Sequence, residues 1–345
     1  MDNSKQTCPP SAQQRAFFPS DTKRIIAKLG KKTLLENLRQ MLRIRNFEIR
    51  AESAYQQGFV GGFFHAYIGQ EAIQTAAVQV IGQDNWFITS YRCHALALLL
   101  GATPNELMAE LYGRSTGNAK GRGGSMHFYT ERLLGGFGIV GGQIPIATGA
   151  AFRCKYLGTK EIAICFLGDG AMAQGAFHES LNIASLWSLP CIYVIENNLW
   201  GMGTAVEKAI SVKRLAEDVA PAYNMKGYTL NGLDFTNCYA GFEHIYQEVM
   251  KTGRPVLVEA VTERFRGHSI SDPALYRTKE SLQLSMSRDP ILLLRDTMIK
   301  EKMLTEEEYK AMDKEERDTV VASLKYAEES PWPELVELEE DVFAP

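Results

Sequence analysis

Cysteine is scarce and unpatterned: the 345 residues hold six, Cys8, Cys93, Cys154, Cys165, Cys191 and Cys238. None form a C-x-x-C pair or stand at metal-ligand spacing, which argues against a disulfide framework or a zinc site. Cys165 and Cys191 lie inside apolar runs, where a free thiol acts as a small hydrophobe; that usage suits a reducing, cytoplasmic setting. Long apolar runs are missing too. The longest, such as Ala95 to Leu100, fall far short of the ~20 residues that cross a bilayer, so no membrane span is expected. Positive charge is not in excess, since 37 Lys and Arg against 41 Asp and Glu leave −4, which argues against a general nucleic-acid binder. Residues 1–20 lack both the apolar stretch of a signal peptide and the basic character of a transit peptide. They contain Asp2 and a single arginine, Arg15, and read as a mobile polar tail. Residues 21–345 then read as one α/β domain with surface helices at its C-terminal end. No internal repeat is apparent.

What is present is punctuation. Leu34, Leu35, Leu38, Met41 and Leu42 repeat at helical spacing over residues 33–57, with Gly58 as a stop. A second helix is expected over 70–81. Thr103-Pro104-Asn105-Glu106 reads as a capping box with proline at the first helical position, closed at Gly113. From Gly113 to Gly149 there are 11 glycines in 37 residues, where the chain average gives about 3. That density predicts loop, and embedded Met126, Phe128, Phe137, Ile139 and Val140 predict an ordered binding loop rather than a linker.

A strand, helix and strand follow. Glu161 to Leu167 is a compact apolar run suited to a buried strand, and Phe177, Leu181 and Ala184 mark a helix ending near Trp187. Pro190 breaks the chain before a second strand, Cys191 to Ile195, and Pro255 to Val261 predicts a further one. Strands joined by a helix of this length imply a parallel pair with a right-handed crossover. Gly168-Asp169-Gly170 ends the first strand and Asn197-Asn198 the second. In open parallel sheets ligands bind beyond the carboxyl ends of strands. A carboxylate and an amide carbonyl are hard oxygen ligands suited to magnesium, and Gly170 leaves a helix N-terminus open to a diphosphate.

GDG followed by Asn-Asn resembles the thiamine diphosphate signature. Around it, YRCHA (91–95), KGRGGSMHFY (120–129), GIVGGQIP (138–145), ENNLWGMGT (196–204) and RGHSISDP (266–273) are more specific. These segments resemble the alpha subunits of the 2-oxo acid dehydrogenases that use thiamine diphosphate, of the pyruvate type, over about residues 33–330. The resemblance implies a parallel sheet flanked by helices that forms the diphosphate-binding half of the thiamine diphosphate-binding fold. It implies oxidative decarboxylation of pyruvate, with the acetyl group passed to the lipoyl group of a dihydrolipoyl acetyltransferase, the second component. The alternative is an alpha subunit of acetoin dehydrogenase or of another 2-oxo acid dehydrogenase. The acid that activates the cofactor pyrimidine would come from a beta subunit in an α₂β₂ assembly, with Glu71 as the best internal candidate.

By the same resemblance Asp169 and Asn198 would ligate magnesium through side chains and Trp200 through its carbonyl, where the family usually has tyrosine. Gly170 and Ala171 would hold the diphosphate through N–H groups, with Tyr91 and Arg92 also on phosphate. Gly138 and Val140 would face the aminopyrimidine, Val140 as a wedge. His65 and His268 match positions near the reacting centre, with His65 and Arg92 toward the substrate carboxylate and His268 also beside the cofactor. His127 lies in the Gly-rich loop, His244 reads as an exposed helix residue, and His94 and His178 are open between packing and function. Ser269 corresponds to a serine that kinases phosphorylate in mitochondrial relatives, whereas the second such serine has no match near Leu275. One signal competes: Gly136 to Gly141 fits G-x-G-x-x-G with Glu161 twenty residues on. Nicotinamide dinucleotide binding is nonetheless not expected, because Tyr129 to Leu134 make a poor strand and Glu161 opens a strand instead of closing one.

Overall fold

A computed structural model describes residues 16–340. Its strands are β1 (Trp86–Ser90), β2 (Leu133–Phe137), β3 (Ala163–Gly168), β4 (Cys191–Asn197), β5 (Trp200–Gly201), β6 (Thr204–Ala205), β7 (Lys226–Asn231) and β8 (Val256–Val261). Six of them form one sheet in the order β2-β1-β3-β4-β8-β7, every pairing parallel, while β5 and β6 make a small antiparallel ribbon. The helices are α1 (Thr22–Gln56), α2 (Glu71–Ile81), α3 (His94–Leu99), α4 (Pro104–Leu111), α5 (Gln143–Leu157) and α6 (Gly175–Leu186). Then come α7 (Val206–Ala209), α8 (Phe235–Thr252), α9 (Lys279–Met286), α10 (Pro290–Lys300) and α11 (Glu306–Glu329).

Alternation along the central strands builds a core on each face. Ile164, Phe166, Ile192, Val194, Val256 and Val258 join the side chains of α1, α2, α8 and α10. Cys165, Leu167, Tyr193, Ile195 and Leu257 point the other way, onto α5 and α6. Each such large apolar side chain contributes about 1.5–3 kcal/mol on burial. The sheet is therefore fixed from both sides, and its rim is a rigid platform.

Helix α1 begins earlier than its apolar repeat suggests. Asp21 caps it by accepting from the Arg24 N–H at 3.2 Å, and Gly30 (φ 71°, ψ 166°) breaks the helical path before the regular repeat starts. The capping box at Thr103 and Glu106 is present. The Gly-rich stretch is only partly loop: β2 and the first half of α5 lie inside it. Gly136 sits in β2 because a Cβ there would meet Cys93 Sγ and Met126 O at 2.5 Å. G-x-G-x-x-G thus starts inside a strand, of which only Leu133 and Leu134 belong to the stretch Tyr129 to Leu134 that reads as a poor one. The other ground holds, since Glu161 precedes β3 and is occupied by Arg132 (2.7 Å) and Arg153 (3.2 Å).

The loop between α4 and β2 is folded around a carboxylate. Buried Glu110 accepts from the N–H groups of Ala119 (2.8 Å), Gly121 (2.9 Å) and Gly123 (2.7 Å). The segment after α11 straps its outer side. Ser115 N–H donates to Pro331 O at 3.0 Å, Arg122 Nη2 to Glu337 O at 2.7 Å, and the Arg114 guanidinium lies 3.7 Å from the Trp332 ring centre. At the opposite edge Phe18, within the expected tail, donates its N–H to Thr229 O of β7 at 2.7 Å. Residues 1–15 of that tail, with Cys8, lie outside the described residues.

Candidate active site

The sheet order places a switch point between β1 and β3, because the chain leaves β1 toward β2 and leaves β3 toward β4 on the other side. Ile88 pairs with Cys165, so Tyr91 and Arg92 leave β1 level with Gly168 and Asp169. A cavity of about 340 Å³ opens there. Its wall includes Tyr91, Arg92, Val140, Asp169, Gly170, Ala171, Asn198, Trp200 and His268. Nine residues singled out in the sequence therefore meet at one place, although more than 170 positions separate the first from the last. Gly138 and His65 stand just behind the wall. A Cβ on Gly138 would lie 3.3 Å from His127 Nε2, and the His65 ring lies 4.4 Å from Tyr91 and 5.0 Å from His268.

The floor is built for a cation and an anion together. Asp169 is 2% exposed, and burial pushes its carboxyl up to about 6 despite Arg264 and Arg92 nearby. Asn198 leaves Oδ1 buried without a partner, while its Nδ2 donates to Gln70 Oε1 at 3.3 Å. A buried carboxyl and a partnerless amide carbonyl in the wall of one cavity are costly unless a cation joins them. Among the described residues no three His, Cys, Asp or Glu side chains cluster to hold a metal. A cation here would take amide and backbone oxygens and leave positions for oxygens of a ligand. Gly170 is the second residue of the tight turn Asp169–Ala173, whose N-terminus carries no side-chain cap, which suits an anion. A Cβ on Gly170 would lie in ordinary contact with Gly201 Cα, at 3.5 Å.

Two buried guanidinium groups face this floor. Arg92 donates Nη1 to Ala66 O at 2.6 Å and Nη2 to His268 O at 2.7 Å. Burial, and Arg264 beside it, lowers its pKa to about 10. Arg92 thus joins the segment carrying His65 to the segment carrying His268, beyond the phosphate contact expected of it. Arg264 reaches Met202 O at 3.2 Å and Tyr276 Oη at 2.8 Å, and its Nη1 lies 3.5 Å from Trp200 O. Asp272 fixes the second segment by accepting from His268 N–H at 2.6 Å and Tyr276 O–H at 2.7 Å. Burial and Arg92 lower His65 to about 3 and His268 to about 4. Both imidazoles are neutral at pH 7, and each has a buried Nδ1 with no partner.

Other candidates fall elsewhere. His94 is a packing residue: it meets Glu48 at 3.1 Å and Ser125 O at 2.9 Å and stacks on Phe64. His178 bonds Tyr223 Oη at 2.7 Å away from the cavity. His244 lies exposed on α8. His127 bonds Gly123 O at 3.0 Å beneath Gly138. Ser269 pairs with Ser271 at 3.0 Å. Glu71 is spent on structure, accepting from Arg45 at 2.6 and 3.0 Å and from Gly69 N–H at 3.1 Å. The Trp200 ring packs against Tyr276 with centres 5.0 Å apart. The sequence reading did not single out Gln70, Gln143, Glu196 and Arg264, all in the cavity wall. Gln143 and Glu196 lie within the segments 138–145 and 196–204 and Gln70 adjoins Glu71, which are the signals that could have found them; Arg264 had none.

Comparison with known proteins agrees with this layout. The model of the dehydrogenase E1 component family matches residues 39–336. The pyruvate dehydrogenase E1 component subunit alpha of Rickettsia felis is 41% identical over 318 residues, covering 92% of this chain and 97% of that protein. The same subunit of Rhizobium meliloti is 39% identical over 321 residues, 92% of each chain. The testis-specific mitochondrial form of Homo sapiens is 39% identical over 317 residues, 90% of this chain and 80% of that one. A parallel sheet with its cavity at the switch point, and relatives of this identity over nine-tenths of the chain, place it in one family: the chain belongs to the dehydrogenase E1 components.

Proposed function

We propose that this chain is the alpha subunit of a pyruvate dehydrogenase (acetyl-transferring), an oxidoreductase in which it binds the diphosphate of thiamine diphosphate through magnesium. The observation that carries the reading is that buried Asp169 and the partnerless Asn198 Oδ1 line one cavity at the switch point. Those oxygens and the Trp200 carbonyl hold the cation, and the N–H groups of Gly170 and Ala171 receive the diphosphate. Arg92 and Tyr91 bound the phosphate side. Val140, 44% exposed at the mouth, supports the aminopyrimidine together with Gly138. When bound, thiamine diphosphate supplies the nucleophilic carbon and takes up the electron pair released with carbon dioxide.

The chain's own residues handle the acid. Neutral His65 and His268 present ring N–H groups that can donate to a substrate carboxylate or keto oxygen without bringing a fixed charge. Arg92 sets their spacing through the two carbonyls it grips, and its buried positive charge favours an anionic substrate. Residues 21–345 act as one domain in this reading. The pyrimidine-side acid comes from a beta subunit in an α₂β₂ assembly, and the acetyl group leaves on the lipoyl arm of the acetyltransferase. The five described cysteines are free and buried and no described helix is long and apolar enough to cross a membrane, which supports work in the cytoplasm. The test is reduction of an artificial electron acceptor by pyruvate with thiamine diphosphate and magnesium. The chain with its beta subunit should turn over and the chain alone should not. Full activity of the chain alone overturns the shared site.

A further inference from the structure

Gln70 is 1% exposed and lines the cavity floor. It stands at the N-cap of α2, yet its side chain makes no capping hydrogen bond; Glu71 meets the free Gly69 N–H instead. Its backbone is pinned on both sides. Gly69, at φ +101°, packs so closely that a Cβ would meet Glu263 O at 2.5 Å and Phe265 Cδ1 at 2.9 Å. Glu71 is gripped by Arg45, which Asp289 also holds at 2.6 Å. A side chain so firmly based, and unused by the helix it begins, is directed to the cavity.

Its side chain bonds the amide of Asn198, and the two amides constrain each other. For Asn198 to offer Oδ1 to a cation, its Nδ2 must point away and find an acceptor. Gln70 Oε1 is that acceptor at 3.3 Å. The same turn of the Gln70 amide leaves its Nε2 buried without a partner, as Asn198 Oδ1 is. A free acceptor and a free donor on neighbouring amides in one cavity match a cation with an anionic oxygen beside it. We propose that Gln70 is a positioning residue for the metal–diphosphate site, holding the Asn198 amide in the orientation that ligates the cation. The assignment rests on the reading of the site above. Ligand-orienting partners of this kind typically alter metal affinity about 10- to 100-fold.

The test measures Mn²⁺ binding to the chain assembled with its beta subunit, in the presence of thiamine diphosphate, by calorimetry and by the paramagnetic resonance of free Mn²⁺. Gln70→Met keeps length and apolar packing and removes the acceptor. It should weaken Mn²⁺ at least about tenfold, with the thermal transition of the free chain unchanged. In an Asn198→Asp background the ligand has two equivalent oxygens and needs no orienting, so Gln70→Met should there change Mn²⁺ affinity little. Should Gln70→Met fail to fold, Gln70→Glu, which keeps an acceptor toward Asn198, must retain Mn²⁺, and its loss of Mn²⁺ would overturn the assignment. Wild-type complex that takes up no Mn²⁺ refutes the metal reading itself. Wild-type binding with an equal affinity in Gln70→Met, or a loss that persists in the Asn198→Asp background, refutes only the role of Gln70.

Discussion

Asp169 is a buried acid whose carboxyl is pushed up to about 6 by desolvation, so in the free chain it is a burden rather than a support. Asp169→Ala should therefore leave the apo fold as stable as wild type while abolishing tight magnesium-dependent cofactor binding. Calorimetry on the assembled complex and thermal denaturation of the free chain check the two halves. His268 belongs to the segment after β8, and its ring adjoins His65 and Tyr91 rather than the Asp169 turn, so His268→Ala should keep cofactor affinity. It should lower kcat with pyruvate on the order of 10² to 10⁴, and steady-state kinetics beside cofactor titration separates the effects. His65 gives a pH signature. Its folded pKa of about 3 lies below the ordinary value of about 6.5, so its contribution is present above pH 6.5 and lost as pH falls toward 3. The stability of His65→Gln relative to wild type should rise on acidification, by on the order of 2 kcal/mol at pH 4.5, as read from denaturant midpoints. A difference independent of pH would mean that His65 is not held neutral.

At the scale of elements, one side chain joins three helices. Arg45 of α1 binds Glu71 at the start of α2 and Asp289, which caps α10. Arg45→Met strands two buried carboxylates and should cost about 3–5 kcal/mol, measured by thermal or urea denaturation. A loss below 1 kcal/mol would show that the carboxylates find water. The same elements show what a sequence carries and what it hides. β3, β4 and β8 were legible because strands buried on both faces read as unbroken apolar runs. β2 and β7 were not: Gly135 and Gly136 mimic loop in one, and Lys226 and Gly227 open the other. β1 was missed although buried, its five residues ending in Thr89 and Ser90. Asp169 and Asn198 were found because strand ends carry a positional rule. Gln70, Gln143 and Arg264 enter the cavity from a helix cap, a helix start and a strand exit, and nothing in their local pattern tells where the tertiary fold points them.

Across the whole molecule, polar cover is uneven. Tyr156 (78% exposed), Leu157, Leu186 and Trp187 crowd the outer ends of α5 and α6, with Ile139 (77%) and Val140 at the cavity mouth. Apolar side chains gathered at this density favour association. The isolated chain should self-associate with rising concentration, and addition of the beta subunit should convert it to a single α₂β₂ species, as followed by sedimentation velocity. An isolated chain that stays monomeric and ignores the beta subunit would contradict this. The strap over the Gly-rich loop has a further consequence, in the order of synthesis. Arg114, Ser115 and Arg122 emerge from the ribosome more than 200 residues before Pro331, Trp332 and Glu337, which hold them. The Glu110 carboxylate is made beside the loop and can gather its N–H groups at once. The outer clasp must wait until Pro331, Trp332 and Glu337 have been translated, so this side of the loop stays open to nascent-chain proteolysis through that interval of synthesis.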